Sequence, residues 1–311
     1  MGDSSLHKIE STYSDRFHNH SLFKESWIAF ASNYPPSHCL LDFHQLPSTD
    51  VALHSGDLGF ALLWIVQSVL MRCVYFDINQ LQPWEIPALT PVTIGAMAHT
   101  EPDTARMTAR YIDNNTLSLS GHKKYITGGK DADLLFVTAR RTGEDKFTKI
   151  VYIQTYLLPE NALQQLDMSI LPTINHATLT LDDFPCNALQ CSPVKDKELR
   201  KILKKWSLVE RALIGEAYIG YLCYLAKNIT MPDQNELIDE VENLLALQKT
   251  FTRQQLENAF SNNYIDTLGD VARVLSVTQK ISNYCMENPQ TTGDSITLRL
   301  HDLNLFNKIR L

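Results

Sequence analysis

The stretch GAMAHTEPDTARMTARYIDNNTLSLSGHKKYIT, residues 95–127, marks where the chain changes from helical to strand-like patterns. It contains a Thr-Glu-Pro corner at residues 100–102, a polar tract, and a final Gly-His-Lys-Lys-Tyr-Ile-Thr. Residues 116–121, TLSLSG, alternate with a period of two, which is typical of a half-buried strand. The stretch therefore predicts strands on either side of Thr-Glu-Pro. It leaves open whether that corner is only a turn or part of a ligand-binding loop.

The strand signal continues after this stretch. Residues 133–140 (DLLFVTAR) form a buried-strand run, residues 149–158 (KIVYIQTYLL) are rich in β-branched and aromatic side chains, and residues 177–184 (ATLTLDDF) alternate again. Clusters of Gly, Asn, Asp and Thr separate these runs. Several short strands at such spacing predict an antiparallel sandwich or barrel, which we assign to residues 94–192.

The pattern is helical on both sides of this region. Residues 1–93 contain the helix-like segments SLFKESWIAFASNY (21–34) and LGFALLWIVQSVLM (58–71). Residues 193–311 contain three long amphipathic segments and a short last one, which predicts an up-down bundle. We therefore expect an α+β multidomain protein, with an N-terminal helical domain, a central β-domain and a C-terminal helical bundle.

Composition excludes several classes of protein. The 311 residues are 44% hydrophobic and 20% charged, which favours a folded protein over a disordered one. A net charge of −7 argues against nucleic-acid binding. The run at 58–71 is shorter than the roughly 20 residues of a membrane span and contains Gln67 and Ser68, so we expect a buried core helix. A polar N-terminus and six cysteines without a Cys-x-x-Cys pair favour a cytoplasmic protein with reduced thiols.

The order of these regions and several motifs resemble the acyl-CoA dehydrogenase family of flavoenzymes. AMAHTEP (96–102) stands where that family has an aliphatic-x-Thr-Glu-Pro motif. GHKKYIT (121–127) stands where it has Gly-x-Lys-x-Trp-Ile-Thr. ADLLFVTAR (132–140) and ATLTLDDFPC (177–186) match two of its strands, and SLVERALIGEAYIGYLCYLA (207–226) resembles its first bundle helix.

The resemblance implies a fold, a cofactor and a reaction. It implies FAD and an acyl thioester, on CoA or on a carrier protein, held between the three domains. The implied reaction is α,β-dehydrogenation of the thioester with hydride transfer to FAD. It also implies that Thr100 and Thr127 hydrogen-bond the edge of the flavin ring and that Tyr125 packs beside it. The alternative is structural: all three are common strand residues, Thr100 could form a local turn with Pro102, and Tyr125 could belong to the core.

Glu210 is the candidate catalytic base. The resemblance implies this role, since some family members carry the base in a Glu-Arg pair on the first bundle helix, and Glu210-Arg211 matches that position. A base needs a raised pKa and hence an apolar setting. Glu216 is a second candidate, with apolar neighbours but no family match, and the alternative for Glu210 is a solvated surface glutamate. The helical neighbours of Glu210 are Trp206, Leu213 and Ile214.

Three departures from the family weaken the expected cofactor site. The Gly-rich insertion that follows Thr-Glu-Pro and ends in Gly-Ser-Asp is missing, since the chain runs through residues 103–105 into the next strand. KNITMPDQNEL (227–237) replaces an Arg-x-x-Phe-Gly motif, and Leu311 falls about where a Tyr-Glu-Gly-Thr loop would start. The motifs that would hold the flavin ring are therefore present, whereas those that would hold the phosphates of FAD are absent.

These departures support a second hypothesis. A non-catalytic protein of this fold, with a degenerate FAD site, would act by binding a ligand or as a partner subunit. Between the two lies a heteromer, in which a full-length related subunit supplies the missing cofactor contacts. We expect either a homo-oligomer or a hetero-oligomer with such a subunit. The basic run KDKELRKILKK (195–205) would either attract CoA phosphates or form a solvated helix start. His99 is expected to be a hydrogen-bonded structural histidine.

Overall fold

The computed structural model describes residues 4–18, 22–38, 46–260, 269–289, 292 and 294–305. Helices come first, strands follow, and long helices end the chain, in the predicted order. The N-terminal helices are α1 (Ser4–Ser11), α2 (Tyr13–His18), α3 (Phe23–Asn33), α4 (Pro47–Ser55), α5 (Leu58–Ile65) and α6 (Val74–Leu81).

Helix α4 was not predicted, although its ends carry recognisable signals. Pro47 occupies its first turn, where a missing backbone N–H costs nothing. Gly56 follows its last residue in the left-handed conformation, with φ of 61°, and the amide of Gly56 donates a hydrogen bond to the carbonyl of Ala52. The helix is short, and its small residues are enclosed by neighbouring helices on several sides. Its apolar residues therefore do not form one clear stripe.

Helices α5 and α6 are continuous through a π-helical segment, Val66–Cys73. Asp57 caps the N-terminus of α5 by accepting a hydrogen bond from the amide of Phe60 at 2.9 Å. The whole helix, Leu58–Leu81, is apolar and long enough for a membrane span by composition. However, 89% of its apolar window is buried inside the fold. The prediction of a buried core helix is confirmed.

Asp57 also joins the N-terminal helices to the central domain. Its Oδ1 accepts a hydrogen bond from the hydroxyl of Thr173 at 2.7 Å, and its Oδ2 contacts the guanidinium of Arg16. Both charged side chains are fully buried. Removing either partner of the ion pair would leave a buried charge uncompensated, so the pair fixes α2 to the start of α5, and the hydrogen bond from Thr173 joins that point to the central domain.

The central region is one curled sheet of seven strands. Its order is β1-β4-β2-β3-β7-β6, with β5 on the other side of β4. Strand β4 pairs with β1 over residues 134–137 and with β2 at residues 140–141, so the sheet bends around it. Most pairs are antiparallel, as predicted, but β1 and β2 lie parallel to β4. The strands are β1 (Gly95–Ala98), β2 (Thr108–Tyr111), β3 (Thr116–Thr127), β4 (Leu134–Arg141), β5 (Lys149–Gln154), β6 (Leu163–Gln165) and β7 (His176–Asn187).

Strand β3 is twice as long as its alternating segment suggested, and two bulges shape its pairing with β7. The first lies between Leu119 and Gly121. Gly121 has φ of +139°, and a Cβ there would lie 2.5 Å from the carbonyl oxygen of Arg106. The second bulge lies between Lys123 and Ile126 and contains Tyr125 in a left-handed conformation, φ 59°. A tyrosine in that region is uncommon and marks a backbone held by its surroundings.

The C-terminal part consists of long helices, as predicted. They are α7 (Asp196–Asn228), α8 (Gln234–Phe260), α9 (Val271–Glu287) and the short α10 (Asp294–Arg299), followed by a 3-10 turn at Leu300–Asn304. The third amphipathic segment of the sequence, YIDTLGDVARVLSVTQKISNYCME (264–287), begins in residues that lie outside the described part. Where α9 is described, the side chain of Asp270 caps its first residues.

Helix α7 is the centre of the molecule. Its first half has one buried face, whereas all residues from Ala212 to Ala226 are buried. It packs on α8 and also on α4 and α5, and Gly220 lets α4 approach, because a Cβ there would lie 3.2 Å from the carbonyl oxygen of Thr49. Since α7 contacts both helical regions and its first half reaches the sheet, it positions its side chains at the junction of the three parts.

Candidate functional site

A cavity of about 400 Å³ lies at this junction. Its volume is in the range of small-molecule sites. Its walls come from the π-helical segment, from the ends of β1 and β3, and from the first half of α7. The lining residues that matter below are Val66, Leu70, Met97, His99, Thr100, Tyr125, Thr127, Arg200, Lys204, Ser207 and Glu210.

One wall of the cavity is apolar and rigidly held. Val66 and Leu70 reach it from the π-helical segment, a feature often found at functional sites. Gln67 between them is fully buried and makes two hydrogen bonds to Gly95, donating to its carbonyl at 2.6 Å and accepting from its amide at 2.8 Å. This amide pair fixes the helix to the start of β1, and so fixes the wall.

The three predicted ring contacts lie on the sheet side of the cavity. Thr100 follows β1, Tyr125 occupies the bulge of β3, and Thr127 ends that strand. The carbonyl of Thr100 accepts a hydrogen bond from the amide of Lys124 at 2.9 Å, which links the Thr-Glu-Pro corner to the bulge. Tyr125 is 50% exposed, so it is not a core residue. The left-handed turn at the bulge lets its ring face the opening.

A buried ion network lies beneath these residues. Lys123 is 1% exposed, and its ammonium donates to Glu101 at 2.8 Å, to the hydroxyl of Thr138 at 3.0 Å and to the carbonyl of His99 at 3.1 Å. Glu101 also contacts the guanidinium of Arg140. Burial lowers the pKa of Lys123, and the neighbouring carboxylate opposes that shift. The network anchors the Thr-Glu-Pro corner to β3 and β4 from within.

His99 lies at the edge of this network. Its Nδ1 is 3.1 Å from the hydroxyl of Thr138, so it is hydrogen-bonded, as expected, although its ring also lines the cavity. Burial and the positive charge of Lys123 lower the pKa of His99. At neutral pH the imidazole is therefore uncharged.

Glu210 reaches the cavity from α7, opposite the sheet residues. Its predicted neighbours Trp206, Leu213 and Ile214 are all buried, so its setting is apolar. Burial raises the pKa of Glu210 to about 7, and the nearby positive charge of Arg211 lowers it. Within the described part of the chain, no group donates a hydrogen bond to this carboxyl. It is thus a carboxyl that is partly protonated near neutral pH and open to a ligand.

Glu216 lies elsewhere. It is 4% exposed and accepts a hydrogen bond from the hydroxyl of Thr49 at 2.8 Å, with Thr252 as a second hydrogen-bonding partner. It joins α7 to α4 and α8 and does not line the cavity. The structure therefore brings Thr100, Tyr125, Thr127 and Glu210 together and leaves Glu216 out.

The connection between β1 and β2 is short and closed. The amide of Ala105 bonds the carbonyl of Pro102 at 3.4 Å, and the amide of Met107 bonds Glu101 at 3.0 Å. The carbonyl of Ala105 accepts a hydrogen bond from the backbone amide of His122 at 2.9 Å, which binds the loop to β3. The amides of Ala105 and Met107 are therefore used within the connection.

The residues at the cavity fit one end of FAD. An apolar wall, an exposed aromatic ring and two threonines match a flat heteroaromatic ring with a polar edge. At the β1–β2 connection, where the family resemblance would place the phosphate end, the Gly-rich segment is missing and the amides of residues 105 and 107 are already bonded within the loop. The cations Arg200 and Lys204 also line the cavity, although the sequence alone places them only in a basic run.

The fold is that of acyl-CoA dehydrogenases. An acyl-CoA dehydrogenase from Geobacillus kaustophilus superposes with a TM-score of 0.60 at 16% identity, covering 95% of this chain and 88% of that one. The prolyl acyl carrier protein oxidase AnaB gives 0.64 at 15% identity, covering 99% and 94%. PigA in complex with FAD gives 0.65 at 15% identity, covering 96% and 87%.

By sequence, no family model and no curated protein matches the chain. The structural likenesses confirm the predicted fold class. At the level of the fold, they also confirm the predicted resemblance to acyl-CoA dehydrogenases. Because all the identities are low, the likenesses establish the architecture and leave the chemistry to be argued from the cavity.

Proposed function

We propose that this chain is an FAD-dependent oxidoreductase that introduces an α,β double bond into an acyl thioester. The observation that carries the proposal is that Thr100, Tyr125, Thr127 and Glu210 line one cavity. They come from three separate segments, namely the Thr-Glu-Pro corner after β1, strand β3 and helix α7, and each has the chemistry that its proposed role needs.

Each residue contributes to positioning or to proton transfer. Thr100 and Thr127 would hold the polar edge of the flavin ring, and Tyr125 would pack beside it. Glu210 would remove the α-proton of the thioester as a general base, for which a pKa near the working pH is suited. A bound FAD would supply the acceptor for the hydride that leaves the β-carbon. The apolar wall formed by Val66 and Leu70 would exclude water from the reacting atoms.

Three of the structural neighbours motivate the choice of cofactor and substrate. PigA was determined with FAD, AnaB is described as acting on a prolyl acyl carrier protein, and the Geobacillus kaustophilus protein is described as an acyl-CoA dehydrogenase. For this chain, we therefore propose a thioester on either CoA or a carrier protein.

A spectroscopic experiment tests the proposal. The purified chain is saturated with FAD, freed of unbound flavin, and mixed without oxygen with acyl-CoA or an acylated carrier protein. We expect the flavin colour to bleach, and Glu210→Gln to bind FAD but not to bleach. Glu198→Gln is the matched control, because Glu198 lies on the same helix outside the cavity and pairs with Lys201. A chain that takes up no FAD, or equal bleaching in Glu210→Gln, would refute the proposal.

The second candidate function is binding without catalysis. It is favoured by the short β1–β2 connection, in which the Gly-rich segment is missing and the amides of Ala105 and Met107 are bonded within the loop. A related subunit, or a second copy of this chain, would then supply groups that bind those phosphates. This candidate predicts a colourless protein that takes up FAD only in an oligomer, which native mass spectrometry with and without FAD would reveal.

A further inference from the structure

A second cavity, of about 720 Å³, lies beside β5, an edge strand of the central sheet. It is bounded by the loop after α6, by the end of β2, by β5 and by the segment that joins β7 to α7. No described residue lines both this cavity and the one that contains Glu210. The lining residues used below are Trp84, Glu85, Tyr111, Lys149, Tyr152 and Cys191.

The segment that joins β7 to α7 is fixed against β5. The amide of Ser192 donates to the carbonyl of Ile150 at 2.8 Å, and the hydroxyl of Ser192 accepts from the amide of Ile150 at 3.2 Å. Asn187 accepts a hydrogen bond from the amide of Leu189 at 2.9 Å, and the side chain of Gln190 accepts one from the amide of Asn187 at 2.8 Å. This wall is therefore formed before a ligand arrives, as is usual for small-molecule sites.

Another part of the wall is aromatic. The rings of Trp84 and Tyr152 lie 6.1 Å apart between centroids, and Trp84 also packs on Phe136 of β4 at 5.4 Å. Tyr111, the last residue of β2, is 45% exposed. The hydroxyls of Tyr111 and Tyr152 make no hydrogen bond within the described chain. Three aromatic side chains at one cavity suit a ligand with a flat ring.

The polar groups at this cavity are mostly donors that lack an acceptor. Trp84 is only 3% exposed, and its indole N–H makes no hydrogen bond within the described chain, so an acceptor on a ligand would satisfy it. Lys149 is half-buried and has no carboxylate partner among the described residues, Glu85 included. Burial raises the pKa of Cys191 to about 11, so this thiol is uncharged at neutral pH and does not neutralise Lys149.

We propose that the second cavity binds a small aromatic acid, that is, a flat ring that carries one carboxylate. The ring would lie against Trp84, Tyr111 and Tyr152. The carboxylate would accept hydrogen bonds from the ammonium of Lys149 and from the indole N–H of Trp84. One cation matches one negative charge, and the carboxylate of Glu85 disfavours a ligand with two. The proposal is independent of FAD and of the role of Glu210.

Calorimetric titration with three matched probes tests this proposal. Indole-3-acetate is the aromatic acid, indole-3-acetamide keeps the ring without the charge, and cyclohexylacetate keeps the charge without the aromatic ring. We expect indole-3-acetate to bind at least about 10-fold more tightly than either of the others. Lys149→Gln should abolish the preference for the acid over the amide, and Trp84→Phe should weaken binding of both indoles about 3- to 10-fold. Lys146→Gln is the control, because Lys146 is an exposed lysine of the β4–β5 connection that lines neither cavity.

Equal affinities for the acid and the amide would overturn the proposal. A preference for the acid that survives in Lys149→Gln, or no binding of indole-3-acetate at about 1 mM, would overturn it as well. Thermal unfolding of each variant separates loss of binding from loss of the fold. If Trp84→Phe does not fold, the half-buried position of Lys149 carries the test.

Photolabelling locates the bound acid. The probe is 4-azidobenzoate, an aromatic acid with one carboxylate, and the labelled residues are found by mass spectrometry. We expect label on Trp84, Tyr111 or Tyr152 that excess indole-3-acetate suppresses. Label confined to residues outside the second cavity, such as Tyr125 in the other one, would overturn the assignment.

Discussion

Two glutamates on α7, Glu210 and Glu216, lie less than two turns apart, and burial raises the pKa of both. Glu216 accepts hydrogen bonds from Thr49 and Thr252, one on each neighbouring helix, and is closed off from solvent. Glu210 has an equally apolar setting but no donor within the described chain, and it opens onto the cavity.

The difference shows how one helix can hold a glutamate that links neighbouring helices, Glu216, and another that is open to a ligand, Glu210. A buried carboxyl whose hydrogen bonds are satisfied contributes to stability and has no free hydrogen-bonding capacity for a ligand. A half-buried carboxyl without donors is costly to ionise and is ready to take a proton from a ligand, which is the state expected of a base. The two glutamates therefore differ both in exposure and in their hydrogen-bond partners.

The largest expected difference between them is in catalysis. Glu210→Gln should slow flavin reduction by an acyl thioester by about 10²- to 10⁴-fold, because it removes the base and keeps the shape of the side chain. Glu216→Gln should change the rate only a few-fold, since Glu216 does not line the cavity. Single-turnover absorbance measurements on both variants check this. Equal losses would show that the two residues act in the same way.

The next difference is in stability, and its order is reversed. Glu216→Ala should lower the free energy of unfolding by about 1–3 kcal/mol, because it leaves the hydroxyls of Thr49 and Thr252 buried without their partner. Glu210→Ala should cost less, since no donor loses a partner. Urea unfolding of both variants at pH 7 measures this. A greater loss for Glu210→Ala would contradict the assignment.

The third difference appears as pH changes. The pKa of folded Glu210, about 7, lies above that of an unfolded glutamate, so the folded chain binds the extra proton. Its contribution to stability is present below about pH 4.5 and is lost as pH rises through 7. As pH rises from 5 to 8, the free energy of unfolding of Glu210→Gln should therefore increase by about 1–2 kcal/mol relative to that of the natural chain. Unfolding measurements at both pH values check the sign, and a pH-independent difference would contradict it.

The smallest expected effect comes from Arg211. Its positive charge lowers the pKa of Glu210, and its side chain is exposed, so solvent weakens the interaction. Arg211→Gln should move the pH dependence of flavin reduction upward by a few tenths of a unit and leave the rate at high pH unchanged. A shift in the opposite direction would show that Arg211 acts other than through its charge.

The sequence predicted what depends on local spacing. The apolar surroundings of Glu210 follow from helical geometry, since the residues at i−4, i+3 and i+4 are Trp206, Leu213 and Ile214. The strand at residues 116–121 follows from its alternation, and the buried helix at 58–71 follows from an apolar run shorter than a membrane span.

What the sequence could not supply depends on distant partners. Nothing near Glu216 reveals that Thr49, far away in the chain, will satisfy it. The exposure of Tyr125 follows from a bulge that β3 forms only when paired with β7. The parallel pairing of β1 with β4 depends on where the intervening strands lie. The position of Arg200 and Lys204 at the cavity is likewise a property of packing.

Exchange of the substrate's α-proton tests most directly whether Glu210 is the base. The FAD-loaded protein is incubated without oxygen in deuterated buffer with an acyl thioester that has no β-hydrogen, so that only proton removal is possible. NMR of the recovered thioester should show deuterium at the α-carbon with the natural chain and with Glu216→Gln, and none above the uncatalysed level with Glu210→Gln. Exchange that persists in Glu210→Gln would contradict the account.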